Sequence, residues 1–250
     1  MITLKSAHEI DLMRRAGKIT AAARALAGEM VRPGVTTQEI DHAVEHFIRK
    51  QGAVPSFLHC HGYPASACIS VNDEVIHGIP GKRVLAEGDI VSVDVGAYTG
   101  GFHGDCAATF ACGQISKEAQ ELIDVTRQSF FEGIKFAKEG HRLQDISAAI
   151  QSYVESHGCS IVREYVGHGV GAEMHESPEI PNYGHPGRGP RVLRGMTLAI
   201  EPMVNAGSAA IKLMPDGWTV RTLDGKWAAH YENTVLITDG EPEILTAPAI

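Results

Sequence analysis

Apolar positions return at helical spacing in two long stretches of the chain. Ile10, Met13, Ala16 and Gly17 recur over residues 6–31, and Leu122, Val125, Phe130 and Ile134 over 116–138, which predicts two long helices. Pro33-Gly34 breaks the first and Glu139-Gly140 the second. Shorter helices open at Thr37 and at Arg142-Leu143, and Gly52 and Gly158 close them, because glycine takes up the left-handed cap freely. Short apolar runs follow in each half. Residues 68–71, 90–95 and 102–110 read as strands in the first, and 197–201, 219–223 and 232–237 in the second.

The two halves repeat each other at an offset of about 106 residues. Gly34 falls on Gly140, Gln38 on Gln144, Ile40 on Ile146, Phe47 on Tyr153 and Gly52 on Gly158. With one residue of slip, Gly88 then meets Gly195 and Asp94 meets Glu201. Two helices followed by strands, given twice, predict an α+β protein in which helices back a curved antiparallel sheet. No Ser/Pro-rich linker separates the halves, so residues 1–250 read as a single domain.

Carboxylates interrupt the strand patterns. Asp94 lies within Ile90-Val91-Ser92-Val93-Asp94-Val95, and Asp105 within the next strand, reached through Tyr98-Thr99-Gly100-Gly101. A two-residue turn at Thr99-Gly100 makes opposed residue numbers sum to 199, which sets Asp94 directly against Asp105. Like charges in that position destabilise a sheet, and a buried unpaired carboxylate costs far more. Glu201 ends the strand Leu198-Ala199-Ile200, and Glu232 opens another. His168 sits between glycines in Gly167-His168-Gly169, where backbone can approach a site closely. Four carboxylates and an imidazole without an obvious Lys or Arg partner point to two divalent metal ions. An oxygen-rich set suits manganese, iron or cobalt better than a thiolate zinc site does. Paired ions are a recurring device for hydrolysis.

Composition narrows the setting. The 250 residues carry a formal charge of -8, with 44% hydrophobic and 21% charged, and no uninterrupted apolar run long enough for a membrane span. The acidic balance argues against a nucleic-acid partner. The N-terminus has no signal-peptide pattern, and five cysteines without a C-x-x-C fit a reducing, cytoplasmic setting.

Several motifs, in order, give the chain a family likeness. Gly62-Tyr63-Pro64-Ala65-Ser66-Ala67-Cys68, His77-Gly78-Ile79-Pro80, Gly88-Asp89-Ile90-Val91-Ser92-Val93-Asp94 and Gly101-Phe102-His103-Gly104-Asp105 lie in the first half. Gly167-His168-Gly169-Val170-Gly171, His175-Glu176-Ser177-Pro178, Ile200-Glu201-Pro202 and Tyr231-Glu232-Asn233-Thr234 lie in the second. Over essentially its whole length the chain resembles a type I methionine aminopeptidase, with the pita-bread fold shared by creatinases and prolidases.

That resemblance implies removal of the initiator methionine from a peptide or nascent chain with a small second residue. It implies two divalent ions (cobalt, manganese, iron or zinc), with Asp94, Asp105, His168, Glu201 and Glu232 as ligands. His77 and His175 would contact the substrate, and Glu201 would carry a proton between the attacking water and the leaving amine. Tyr63, Cys68 and Trp218 would line the methionine pocket, although Cys68 reads equally as core packing. Cys60 and Met174 depart from the family, which commonly has an aromatic residue there. His61 and His103 sit near the motifs with no assigned role, while His8, His42, His46 and His157 read as solvated surface groups. A ribosome contact would draw on Lys82-Arg83 or on Arg188, Arg191 and Arg194, which otherwise read as solvated loops; a monomer is the default. Two rivals share the fold: a proline-directed peptidase, which usually has a further N-terminal domain, and a binding module, which should have lost ligands.

Overall fold

The repeat expected from the sequence is visible in where the elements begin and end. In the computed structural model, which describes residues 1–247, helix α1 spans Ala7–Met30, α2 Thr37–Lys50, α3 Lys117–Ile134 and α4 Leu143–Ser156. The limits of α2 and α4 differ by 106 residues at both ends. Serine and threonine open α1 and α2 in the same way. The Ser6 hydroxyl accepts from the Glu9 amide while the Glu9 carboxylate accepts from the Ser6 amide at 2.7 Å, and Thr36 and Glu39 repeat the arrangement. In α4 Asp145 supplies only the returning half, accepting from the Arg142 amide at 2.7 Å. Gly52 and Gly158 follow the two shorter helices with φ of 71° and 75°, the left-handed cap expected of them.

Each half packs its own core. Ala23, Ala27, Ile40, Val44 and Ile48 of α1 and α2 pack on Ile69, Val91, Val93 and Val95, while Leu122, Phe130, Ile146 and Ile150 of α3 and α4 pack on Leu198, Ile200, Val204 and Val235. Helix α1 lies very close to strand Phe102–Ala111. A Cβ on Gly104 would come within 2.9 Å of the Gly17 nitrogen, and one on Gly17 within 2.3 Å of the Leu245 carbonyl oxygen. This closeness brings a polar residue of α1 beneath the sheets.

The long hairpin Ile90–Thr99 and Phe102–Ala111 dominates the first half, with Val54–Pro55 and Ala67–Val71 paired along its outer side. The second half carries a five-stranded antiparallel sheet in the order Glu243–Ile244, Asn233–Leu236, Thr197–Ile200, Gly167–Gly169, Glu176–Ile180. Two three-stranded sheets complete the fold. The sheets meet where Ala107 and Glu232 exchange both backbone hydrogen bonds, at 3.2 and 2.9 Å. Alongside, the Thr234 hydroxyl accepts from the Asp105 amide and donates to the Asp105 carbonyl. The result is the pita-bread arrangement of two matched α+β halves.

The hairpin register corrects the sequence expectation. Thr99 pairs with Phe102, so the turn is Gly100-Gly101, with φ of 61° and 88°. A tight hairpin turn of this hand needs positive φ at both central residues, which Thr99 would resist. Asp105 therefore lies opposite Gly96, and Asp94 opposite Ala107. A shift of two in the sum preserves parity, so both aspartates still share a face, as diagonal neighbours.

Candidate metal and substrate site

The seam between the halves opens into a cavity of about 370 Å³. Asp94, Asp105, His168, Glu201, Glu232, His77, His175, Tyr63, Cys68 and Trp218 all line it, from eight separate stretches of sequence. Asp94 and Asp105 come from the hairpin. Glu201 stands one residue past strand Thr197–Ile200 and Glu232 one residue before Asn233–Leu236, so strand ends place both carboxylates at the seam.

The floor is acidic and buried. Asp105 is 3% exposed and Glu232 1%. Buried oxygens of Asp94, Asp105 and Glu232 have no hydrogen-bond partner, nor does the Nε2 of His230. Burial, then the charges of Asp105 and Glu201, push the Asp94 carboxyl well above its ordinary range, and burial with the same two neighbours does so for Glu232. His168 faces opposing influences. Burial favours the neutral ring, but the nearby carboxylates of Asp105 and Glu201 prevail and raise it to about 9. Its Nε2 lies 3.6 Å from both Asp105 Oδ2 and Glu201 Oε1. Its Nδ1 is 2.9 Å from the Gly169 carbonyl oxygen, which can only accept, so Nδ1 carries a proton and Nε2 is the atom presented to the carboxylates. Orphaned buried oxygens of this kind require cations. The donor set fits two divalent metal ions, with Asp105, His168 and Glu232 offering ligand atoms within 4.8 Å of one another, as do Glu201, His230 and Glu232.

Two residues escaped the sequence reading. His230 is 2% exposed, with Nε2 3.7 Å from Glu201 Oε2 and 3.9 Å from Glu232 Oε2. Its position two before Glu232 was the available signal, since alternate residues of an extended segment share a face. Arg24 of α1 is 6% exposed beneath the same floor. It leaves the carboxylates alone and donates to the carbonyls of Ala107, Glu232 and Thr246 and to Asn233 Oδ1, at 2.9 to 3.2 Å. Among the described residues no Lys or Arg forms an ion pair with the four carboxylates, as the sequence suggested. Arg24→Met is expected to destabilise the fold by about 3 kcal/mol, because it strands several buried acceptors at once. Urea unfolding at saturating Mn(II) measures the loss.

Above the floor the walls are apolar. Phe57, Tyr63, Ala65, Cys68 and Met174 form one packed cluster with Ile79 and Trp218 against it. Cys68 is thus both core and cavity wall. Tyr63 and Trp218 meet edge to face with ring centres 5.1 Å apart, and the Tyr63 hydroxyl points away from the cavity to the Gly78 carbonyl at 2.9 Å. A thioether fits such a lining.

His77 and His175 stand at the boundary between walls and floor. Desolvation by the surrounding protein, deep for His77 and partial for the more exposed His175, holds both imidazoles low, near 4, assisted for His77 by His230 and for His175 by His168, so both rings are neutral at pH 7. The His175 ring lies against His168 at 4.4 Å between centroids, and His77 packs edge-on against Tyr165 at 5.6 Å. His77 has φ of 59°, an uncommon conformation outside glycine. His61 faces the cavity from 6.2 Å beyond His175, whereas His103 turns aside to the Ser56 hydroxyl at 2.8 Å. His8, His42, His46 and His157 are exposed, as expected.

Known proteins resemble this chain in sequence and fold. Residues 11–239 match the metallopeptidase family M24. A methionine aminopeptidase of Clostridium perfringens is 58% identical over 98% of this chain and 99% of its own. The crystal structure of a methionine aminopeptidase from Thermotoga maritima superposes with a TM-score of 0.97 at 47% identity, covering 98% of this chain and 99% of that one. A prolidase from Pyrococcus furiosus shares the fold alone, with a TM-score of 0.81 at 23% identity over 99% of this chain and 66% of its own. A hydrolytic metallopeptidase of the pita-bread fold is the class these features define, and the chain belongs to family M24 and, within it, to the type I methionine aminopeptidases.

Proposed function

We propose that residues 1–250 act as one catalytic domain that releases methionine from peptide and nascent-chain N-termini with a small, uncharged second residue. One observation carries the reading: a buried nest of partnerless carboxylate oxygens forms the floor of a cavity with apolar walls. In the proposal Asp94, Asp105, His168, Glu201 and Glu232 hold the two divalent ions. When bound, the ions supply Lewis acidity and a nucleophile at neutral pH. All five would hold the ions together, with Asp105 and Glu232 the most deeply buried of the set.

The protein groups divide the remaining work. Phe57, Tyr63, Cys68, Met174 and Trp218 take the methionine side chain and exclude water around it. Neutral His77 and His175 contact the peptide, and His175 donates its N–H toward the oxyanion that develops on the carbonyl. Water attacks the carbonyl carbon, Glu201 accepts its proton, and the same proton passes to the amide nitrogen as the C–N bond breaks. The Asn182 side-chain amide holds the Glu201 carbonyl at 3.0 Å, so the shuttle keeps its place at the strand end.

Two further expectations belong to the same reading. A monomer is the default taken with this reading, as is a cytoplasmic setting, which five free cysteines fit. No helix among the described residues is long and apolar enough to cross a membrane. Arg83 and Arg194 pair with Glu74 and Asp239, whereas Lys82, Arg188 and Arg191 are exposed and form no ion pair among the described residues, which leaves them available for a ribosomal contact. Assay of a Met-Xaa-Ser series with added Mn(II) or Co(II) tests the proposal. Release of methionine from Met-Ala-Ser, with Met-Trp-Ser nearly inert, is expected. Cleavage of Xaa-Pro peptides in preference would identify a proline-directed enzyme, and metal binding without release a recognition module.

A further inference from the structure

A second ligand set stands at the cavity mouth, apart from the floor. The thiol of Cys60 and the ring nitrogens of His61 and His175 lie within 4.8 Å of one another. None of the three belongs to the carboxylate nest. We propose that Cys60, His61 and His175 form an inhibitory zinc site, in which one Zn(II) withdraws His175 from the substrate.

The donor chemistry differs from that of the floor. One sulfur and two imidazoles are the softer, nitrogen- and sulfur-rich set that selects Zn(II) over manganese or magnesium. Tetrahedral zinc with bonds of 2.0 to 2.3 Å needs its ligand atoms about 3.3 to 3.6 Å apart. Closing from 4.8 Å takes only small rotations, and both imidazoles are exposed and free to make them. Three protein ligands leave a fourth position for water.

Backbone conformation supports the assignment independently. His59 and His61, on either side of Cys60, both have positive φ, at 68° and 49°. Left-handed residues outside glycine cost free energy and persist where surrounding structure holds them. Here the Phe57 carbonyl accepts from the Cys60 amide, the His59 carbonyl from Gly62, and the Cys60 carbonyl from Tyr63, while the Tyr63 carbonyl accepts from His59. The Cys60–Gly62 turn is thereby locked, with Cys60 and His61 both lining the cavity opposite His175. The same hydrogen bonds tie the turn to Phe57 and Tyr63 of the pocket wall, so the two potential ligands are held at a fixed place beside it.

Binding is balanced by one proton. The Cys60 thiol gives its proton to solvent as the sulfur takes the metal, and the imidazoles bind through their free nitrogens. Metal capture rests on geometry alone. The inhibitory consequence rests on the role proposed above for His175, and on the ion standing across the entrance.

Co(II) serves as the spectroscopic probe, because a thiolate ligand gives a near-ultraviolet charge-transfer band that oxygen and nitrogen ligands do not. Titrated under argon, the full-length protein should develop that band as a further equivalent binds beyond the two held by the floor, and Zn(II) should bleach it. Cys60→Ser should abolish the band, and His61→Ala should weaken Co(II) capture at least about tenfold, while both keep two ions per chain. With the floor filled by Mn(II), Zn(II) should lower methionine release by about 10²-fold, and each variant, scored against its own zinc-free rate, should resist. A missing band, or one that survives Cys60→Ser, overturns the site. A Cys60-dependent band without inhibition overturns the inhibitory role. Failure of the Mn(II)-loaded protein to release methionine at all would instead count against the proposed function, and the band would still decide the site.

Discussion

Alanine at Asp105 or Glu232 is expected to abolish methionine release, because either change removes an oxygen donor central to the metal site. Metal analysis after desalting should show the loss directly, with far-ultraviolet circular dichroism unchanged. The milder Asp105→Asn separates function from folding. Its lost charge is a principal cause of the raised Asp94 and Glu232 carboxyls, so the metal-free variant should melt about 3 °C higher than the parent. The pH dependence has a definite sign. Asp94, Glu232 and His168 all hold protons more tightly folded than unfolded, from ordinary values of 3.8, 4.5 and 6.5, with His168 reaching about 9. Folding of the metal-free protein therefore takes up protons, and its stability falls as pH rises across this window. Bound ions replace those protons, so the metal-induced rise in Tm should be larger at about pH 8.5 than at about pH 6.

His175→Ala is expected to lower kcat by about 10²- to 10³-fold, the usual cost of one donor to a developing oxyanion. Metal content should stay at two ions per chain, because His175 lies outside the nest. The split between kcat and metal content is the diagnostic measurement. A His175→Ala protein that fails to hold metal would remove His175 from its proposed role and make it a ligand. Lys5 and Glu176 support the segment with a partly buried ion pair of 2.6 Å next in sequence to His175, so it should keep its shape when the imidazole is removed.

The sequence was most informative where physics acts locally or in sequence order. Capping residues, glycine stops and the 106-residue offset depend on near neighbours, and Thr37–Lys50 and Leu143–Ser156 stand where those signals put them. All ten singled-out site residues share one cavity, because carboxylates inside apolar strands have few places to go. What it concealed depends on contacts distant in sequence or on single dihedral angles. The hairpin register turned on which pair among Thr99, Gly100 and Gly101 takes positive φ. Arg24 looked like one more polar residue on a long helix, and its acceptors lie up to 222 residues away. Gly167–Gly169 is too short for periodicity to mark it as a strand. The twist around Cys60 is carried by two histidines, where turn chemistry would have pointed to glycine or asparagine.

The main-chain exchange between Ala107 and Glu232 has a consequence for how the molecule is held shut. It rivets the two halves beside the carboxylate nest, since Glu232 is at once a stitch and a member of that nest. Metal capture at Glu232 is therefore expected to tighten the joint that shapes the cavity, and a shortage of metal to loosen the enzyme along its own midline.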